Sequence, residues 1–301
     1  MIRYDGDVAI VTGAGVGLGR SYARLLAARG ARVVINDIGG AVDGRGASAS
    51  PANIVVEEIT AAGGVAIANT DSVATAEGAA RLVQSAIDYF GKVDILINNA
   101  GILREGPLGA MSLDDLEAVI QVHLLGALYC TRAVLPAMLA QNYGRIVLTS
   151  SGSGLVGHVG QSVYGAAKSA MVGLMNCVAL DCRGTNVLVN TVTPSATTRM
   201  SRGLVAEDLA RYMAPEHVAA LVGFFASRAC MRTGDIVQAI GGHFSRVAFY
   251  RAKGVQFDPV DGITVEMVER DYERIIDMAD AEPYRGTLAS LAPNLKAMGR
   301  L

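Results

Sequence analysis

Short runs of aliphatic and β-branched residues alternate with helix-length segments from the N-terminus onward, and this alternation constrains the fold more than any other feature. Val8–Thr12, Arg32–Asn36, Val65–Asn69 and residues 94–98, 144–150 and 186–192 read as strands. These runs are nearly continuous in apolar character, the pattern of parallel strands covered on both faces. Residues 20–29, 74–90, 113–140 and 162–183 read as the helices between them. Strand alternating with helix gives an α/β protein, a doubly wound, Rossmann-like parallel sheet with helices on both faces. Residues 39–52, rich in Gly, Ser and Ala, read as an inserted loop. The alternation stops after about Gly241, so residues 1–241 are expected to form the main domain and 242–301 a C-terminal extension near the active site. Within the extension, residues 254–259 read as a linker and 265–278 as one amphipathic helix.

Composition removes several classes of function. The net charge of −2 leaves no electrostatic footprint for nucleic acid. Cys130, Cys177, Cys182 and Cys230 lack metal-ligand spacing, as do the histidines, and the cysteines fit reduced thiols in a cytosol-like compartment. Although 51% of residues are hydrophobic, apolar stretches are interrupted, as Asn176 interrupts residues 171–180, so no membrane span is expected. The acidic N-terminal stretch lacks the basic start of a signal peptide. The expectation is a cytoplasmic protein with no metal.

The first strand runs straight into Thr12-Gly13-Ala14-Gly15-Val16-Gly17-Leu18-Gly19. This is T-G-x-x-x-G-x-G rather than G-x-G-x-x-G, with the same physical use. Glycines permit a tight turn and bring backbone N–H groups and a helix N-terminus to a pyrophosphate. Asp37, after the second strand, is placed to accept hydrogen bonds from ribose hydroxyls and to repel a 2′-phosphate, which selects NAD. Neither Val16 nor Ile38 offers a base for that phosphate, although Arg20 and Arg45 are near in sequence. Asp71, after the third strand, is placed to meet an adenine amino group. Asn98, Asn99, Ala100 and Gly101 end the fourth strand, at the carboxyl edge where such sheets bind ligands. A turn or cap role is the alternative for each.

Ser151 closes the fifth strand, Tyr164 follows thirteen residues later, and Lys168 lies four further on. The last spacing puts phenol and ammonium on one helix face. A phenol acting as base near neutrality needs its pKa lowered by roughly three units, about 4 kcal/mol. A neighbouring ammonium and an oxidised nicotinamide supply that sign of charge. Tyr164 would take the hydroxyl proton of an alcohol, and Ser151 would hold the substrate oxygen.

These motifs, in this order, resemble the short-chain dehydrogenase/reductases over residues 5–241. The resemblance implies that Lys168 also binds the nicotinamide ribose, and that Asn98 and a loop from Pro194 to Thr197 after the sixth strand border the cofactor. Many members carry an Asn that holds a water near the lysine, and the matching position here is His123. A histidine can serve the same relay or can be structural. More closely, the chain resembles the (3R)-hydroxyacyl-CoA dehydrogenase unit of type 2 peroxisomal multifunctional enzymes. That likeness rests on the 39–52 insertion, Gly101-Ile102-Leu103-Arg104, Val122-His123-Leu124, residues 141–146, the Pro194 to Met200 loop and residues 214–219. It implies a CoA thioester oxidised at its 3-hydroxyl. A hydroxysteroid or other lipophilic alcohol is the second expectation, and a non-catalytic dinucleotide-binding protein the third.

Arg104, Arg199, Arg202, Arg246 and Arg251 are candidates for CoA phosphates or simply solvated arginines. Met200, Met213 and Leu204 are either a lid or core. Gly299-Arg300-Leu301 reads as an ordinary terminus. Small residues along 162–183 (Gly165, Ala166, Ala167, Ala170, Gly173) permit close helix approach. In the resembled family this helix and that of residues 113–140 form a dimer interface, so a homodimer or homotetramer is expected.

Overall fold

The structure, a computed structural model, describes residues 1–200, 207–260 and 262–284. The chain divides into two compact units, Met1–Arg246 and Val247–Leu301.

The first unit is built on strands β1 (Val8–Thr12), β2 (Arg32–Asn36), β3 (Val65–Asn69), β4 (Ile95–Asn98), β5 (Gly144–Thr149), β6 (Val187–Ser195), β7 (Ile236–Ile240) and β8 (His243–Val247). They lie in the order β3-β2-β1-β4-β5-β6-β7-β8. Every pairing from β3 across to β7 is parallel. β1, β4 and β5 are buried along their whole length, which is why they read as unbroken apolar runs. Edge strand β3 leaves Val65 half exposed. Strand order reverses between β2 and β4 on either side of β1, so a crevice opens at the carboxyl ends there. β8 follows β7 through Gly241 and Gly242, both at positive φ (53° and 80°). A two-residue turn of that kind reverses the chain, so β8 runs antiparallel to β7.

Helices α1 (Gly17–Ala28), α2 (Ser50–Ala61), α3 (Ala76–Phe90), α4 (Leu113–Ile120), α5 (Gly126–Ala140), α6 (Gly152–Val156), α7 (Ser162–Asp181), α8 (Glu207–Ala210) and α9 (Pro215–Ala226) complete the unit. Against one face of the sheet, Tyr22 and Leu26 of α1, Val55 and Ile59 of α2, and Val222 and Phe225 of α9 pack on Val33, Ile35 and Ile97. α3 starts where Thr75 accepts from Gly78 N–H and stops at left-handed Gly91.

Four expectations change. The insertion is a loop only to Ala49, after which α2 begins with Pro51 in its first turn. Residues 113–140 are not one regular helix, because a π-helical segment, Gln121–Leu125, separates α4 from α5 and carries His123. Pro194 lies inside β6, opposite Ala239 of β7, rather than in a loop after the strand. By length and composition Leu113–Ala140 and Ser162–Asp181 are apolar enough to cross a bilayer, contrary to the sequence reading, but both are packed into the α/β unit, where each has buried residues.

In the second unit, β9 (Tyr250–Arg251) pairs antiparallel with β10 (Glu282–Pro283). Helix α10 (Val265–Ile275) is capped by Thr264, which accepts from Met267 N–H, and ends before Met278.

Candidate active site

The turn between β1 and α1 is shaped by what glycine lacks. A Cβ on Gly19 would stand 2.2 Å from Gly13 O, and one on Gly13 would stand 2.8 Å from Ala100 Cα. Gly13 and Gly17 also sit at φ 63° and 55°, where other residues are strained. A Cβ on Gly15 would meet the Asp37 carboxylate at 2.8 Å. That closeness lets Asp37 accept from Gly15 N–H (2.8 Å) and Gly39 N–H (2.7 Å). The N-terminus of α1 has no side-chain cap, so its first N–H groups remain available to an anion.

Adjacent asparagines at the end of β4 do different things. Asn98 points beneath the crevice and donates to Thr131 Oγ1 at 3.1 Å. Asn99, which the sequence reading passed over as an individual residue, donates to Thr12 O and Gly13 O at 2.9 and 3.1 Å and so braces the glycine turn. Thr12 Oγ1 in turn accepts from the N–H groups of Asn99 and Ala100. The Asp71 carboxylate is held by Asn69 (2.9 Å) and Arg81 (2.6 Å), and Ser72 lines the crevice instead.

The first cleft, of about 300 Å³, is lined by Gly13, Val16, Gly17, Leu18, Asp37, Ala100 and Gly101 among others. Gly19 lies behind this wall. A second cleft, of about 340 Å³, holds Ser151, Tyr164, Lys168, His123 and Pro194. Leu18, Asn99, Gly101, Thr198 and Met200 line both, so the clefts share a wall. Thr197 donates its N–H to Met213 O (2.7 Å), while its buried hydroxyl has no partner among the described residues.

Tyr164 and Lys168 share one face of α7, with Nζ 5.8 Å from the phenol ring centre. Lys168 Nζ donates to Thr149 O (2.8 Å), and Ser150 Oγ donates to Lys168 O (2.8 Å), which ties α7 to the end of β5. Burial brings the Lys168 ammonium down from 10.5 to about 7. Burial also pushes the Tyr164 phenol above its ordinary 10; the hydrogen bond with Ser151 lowers it and the charge of Glu105 raises it. The expectation assigned the lowering to the ammonium together with an oxidised nicotinamide; in the protein itself burial is the largest influence on the phenol and acts in the opposite direction.

His123 stands edge-on to Tyr164, ring centres 5.1 Å apart. Burial, reinforced by the charge of Lys168, lowers it from 6.5 to about 3, against the raising effect of its bond to Ile102. It is therefore neutral, and its Nε2 faces both backbone groups of Ile102, 2.7 Å from the carbonyl O and 3.1 Å from the N–H. Nδ1 is buried and without a hydrogen-bond partner among the described residues, as is Thr149 Oγ1. Both residues and Lys168 line a cavity of about 10 Å³, close to the room one water needs.

Of the candidate phosphate-binding arginines, Arg104 is tied to Asp43 O and Asp115, and Arg246 to Asp235. Arg199 lines the first cleft, and Arg251 stacks on Tyr284 in the second unit. Met200 and Met213 line the second cleft. Arg202, Leu204 and residues 299–301 lie outside the described residues. No group of metal-ligating side chains occurs among the described residues.

Residues 7–208 match the short chain dehydrogenase family. The chain belongs to that family. This short-chain dehydrogenase is 42% identical over 306 residues to the peroxisomal multifunctional enzyme type 2 of Drosophila melanogaster, covering 99% of the present chain and 51% of the relative. It thus spans about half the length of that enzyme, whose full-length structure superposes with a TM-score of 0.83 at 37% identity, covering 99% of this chain and 50% of that one. A short chain dehydrogenase from Mycobacterium avium superposes with a TM-score of 0.78 at 38% identity, covering 91% of this chain and 95% of the other. A 7α-hydroxysteroid dehydrogenase solved with NADH and 7-oxo glycochenodeoxycholic acid gives 0.72 at 29% identity, covering 80% and 95%. The dehydrogenase is an oxidoreductase acting on CH–OH groups, close to the dehydrogenase unit of the type 2 multifunctional enzymes. The cytoplasmic expectation is overturned, because the fly, mouse and Dictyostelium relatives are all named as peroxisomal. Composition and cysteine usage do not distinguish the two compartments, since a peroxisomal address is a short receptor-read signal.

Proposed function

We propose that this protein is an NAD-dependent (3R)-3-hydroxyacyl-CoA dehydrogenase. The observation that carries the reading is the wall shared by the two clefts, which sets Ser151, Tyr164 and Lys168 beside the glycine turn.

The residues fit a nicotinamide dinucleotide. The uncapped α1 N-terminus and the turn whose glycines exclude Cβ atoms suit a pyrophosphate, Asp37 suits a ribose diol, and the unpartnered Thr197 hydroxyl suits a carboxamide. Asp37 favours NAD over NADP. Arg20 is engaged by Glu58 and Arg45 by Asp43, which leaves neither poised for a 2′-phosphate. Such a cofactor supplies the hydride acceptor and, when oxidised, a positive ring charge. Ser151 then donates a hydrogen bond to the substrate oxygen, and Tyr164 Oη accepts the hydroxyl proton. Lys168 steadies the phenolate, and the small cavity beside it, lined by His123 and Thr149, suits a water that hydrogen-bonds the ammonium.

A lipophilic alcohol such as a hydroxysteroid is the second reading, favoured by the apolar Leu103, Met200, Met213 and Ile240 in the second cleft. A non-catalytic role fits poorly with Ser151, Tyr164 and Lys168 lining one cleft, the ammonium 5.8 Å from the phenol ring centre. The test offers NAD or NADP with each enantiomer of 3-hydroxybutyryl-CoA and with a 17β-hydroxysteroid, following absorbance of the reduced cofactor. Reduction of NAD by the R thioester alone is expected. Turnover of the steroid alone overturns the thioester reading, and a preference for NADP overturns the role of Asp37.

A further inference from the structure

The serine that faces the substrate does not stand by itself. Ser151 Oγ accepts from Ser153 N–H at 3.2 Å. The Ser153 hydroxyl donates to Gln161 Oε1 at 2.5 Å, and Gln161 Nε2 donates to the Glu105 carboxylate. Three segments are thereby joined: the loop after β4, the short helix α6, and the residue preceding α7. Backbone bonds fasten the same corner, with Gly106 N–H donating to Gly160 O (2.9 Å) and Gly165 N–H to Gln161 O (2.7 Å). A Cβ on Gly165 would lie 2.9 Å from Ser153 O, so its absence permits α6 to sit against α7.

The polarity of this chain has one solution. A carboxylate only accepts, so Gln161 must present its NH₂ to Glu105 and its carbonyl to Ser153. The Ser153 hydroxyl is then obliged to donate. Ser151, already accepting from a backbone N–H, keeps its own proton for Tyr164 or a substrate oxygen. Gln161 is 8% exposed, so water competes weakly for either end of its amide.

We infer that Gln161, oriented by Glu105, is a positioning residue that holds α6 and so aims the Ser151 hydroxyl. The inference rests on the reading of Ser151 and Tyr164 as the reacting pair. Gln161 lines the second cleft and not the first, so its effect falls on turnover rather than on cofactor binding.

Exchanging the two side chains tests it. In Glu105→Gln the new amide carbonyl still accepts from Gln161, and kcat stays within about threefold of wild type. In Gln161→Glu two carboxylates face each other without a donor, and kcat with NAD and (3R)-3-hydroxybutyryl-CoA falls by about tenfold to a hundredfold, with KM for NAD unchanged. The double exchange, Glu105→Gln with Gln161→Glu, restores an amide donor to a carboxylate acceptor and returns kcat to near the wild-type value. A wild-type kcat in Gln161→Glu, or a double variant as impaired as that single one, overturns the inference. Hydrogen exchange at the Ser153 amide supplies a readout that needs no turnover: faster in Gln161→Glu, slow again in the double variant. If the wild type fails to oxidise the thioester, the substrate assignment falls, and Ser153 exchange still decides the role of Gln161. Unchanged exchange in Gln161→Glu counts against it.

Discussion

Lys168 is 5% exposed, and burial brings its ammonium to about 7 in the folded chain, against 10.5 when unfolded. Between those values the unfolded chain holds a proton that the folded one lacks, so stability rises with pH from about 7 towards 10.5. Lys168→Met removes the buried charge at the expense of the bond to Thr149 O. Its unfolding temperature should exceed wild type by a few degrees below pH 7, at about 2–4 °C per kcal/mol, and the advantage should shrink as pH rises to 10. A constant difference across that range in thermal melts contradicts this account. The types and spacing of Ser151, Tyr164 and Lys168 were legible in the sequence, because a four-residue step on a helix fixes a shared face. The neighbours Asn98 and Asn99 were not separable, since successive side chains leaving a strand point to opposite sides and only the packed structure shows which side is the crevice. The surroundings of Asp71 were likewise not legible, because its partners Asn69 and Arg81 are set by tertiary packing.

Among the elements, β1, β2 and β3 fell within the bounds that their unbroken apolar runs suggested, and helix starts shifted by a few residues at most. What escaped was the π segment Gln121–Leu125, because hydrophobic periodicity does not register one widened turn. That segment matters, since it delivers His123 to the loop after β4. A Cβ on Gly101 would stand 2.4 Å from His123 Cε1, so ring and glycine lock the two elements together. Gly101→Ala should cost about 1–3 kcal/mol of stability through overpacking and weaken cofactor binding, because Gly101 lines both clefts. Denaturant unfolding and NAD titration measure the two effects. A midpoint equal to wild type would show that the ring moves aside at no cost. Elements beyond β6 were also missed: α9 is announced mainly by Pro215 at its start, and β7 is a short, mixed run.

At the scale of the whole molecule, α7 leaves Ala166, Gly173 and Cys177 exposed, and Leu180 is 58% exposed. Gly173 has nothing within 4 Å of where a Cβ would stand. We propose that this face packs against a second copy. Light scattering should give a dimer or a multiple of it, and Gly173→Arg, which the isolated fold accommodates, should give a monomer with an unchanged far-ultraviolet spectrum. A wild-type monomer at micromolar concentration would contradict this. The doubly wound architecture was legible because strand–helix alternation admits few topologies, whereas the compartment was not, since nothing in the physics of the fold encodes an address. The joined clefts carry the functional account, and it is tested most directly by replacing Tyr164 with Phe. Turnover of (3R)-3-hydroxybutyryl-CoA with NAD, present in the wild type, should vanish in Tyr164→Phe while the affinity for NAD is preserved; a variant that still reduces NAD at a comparable rate would contradict the assignment of Tyr164 as the base.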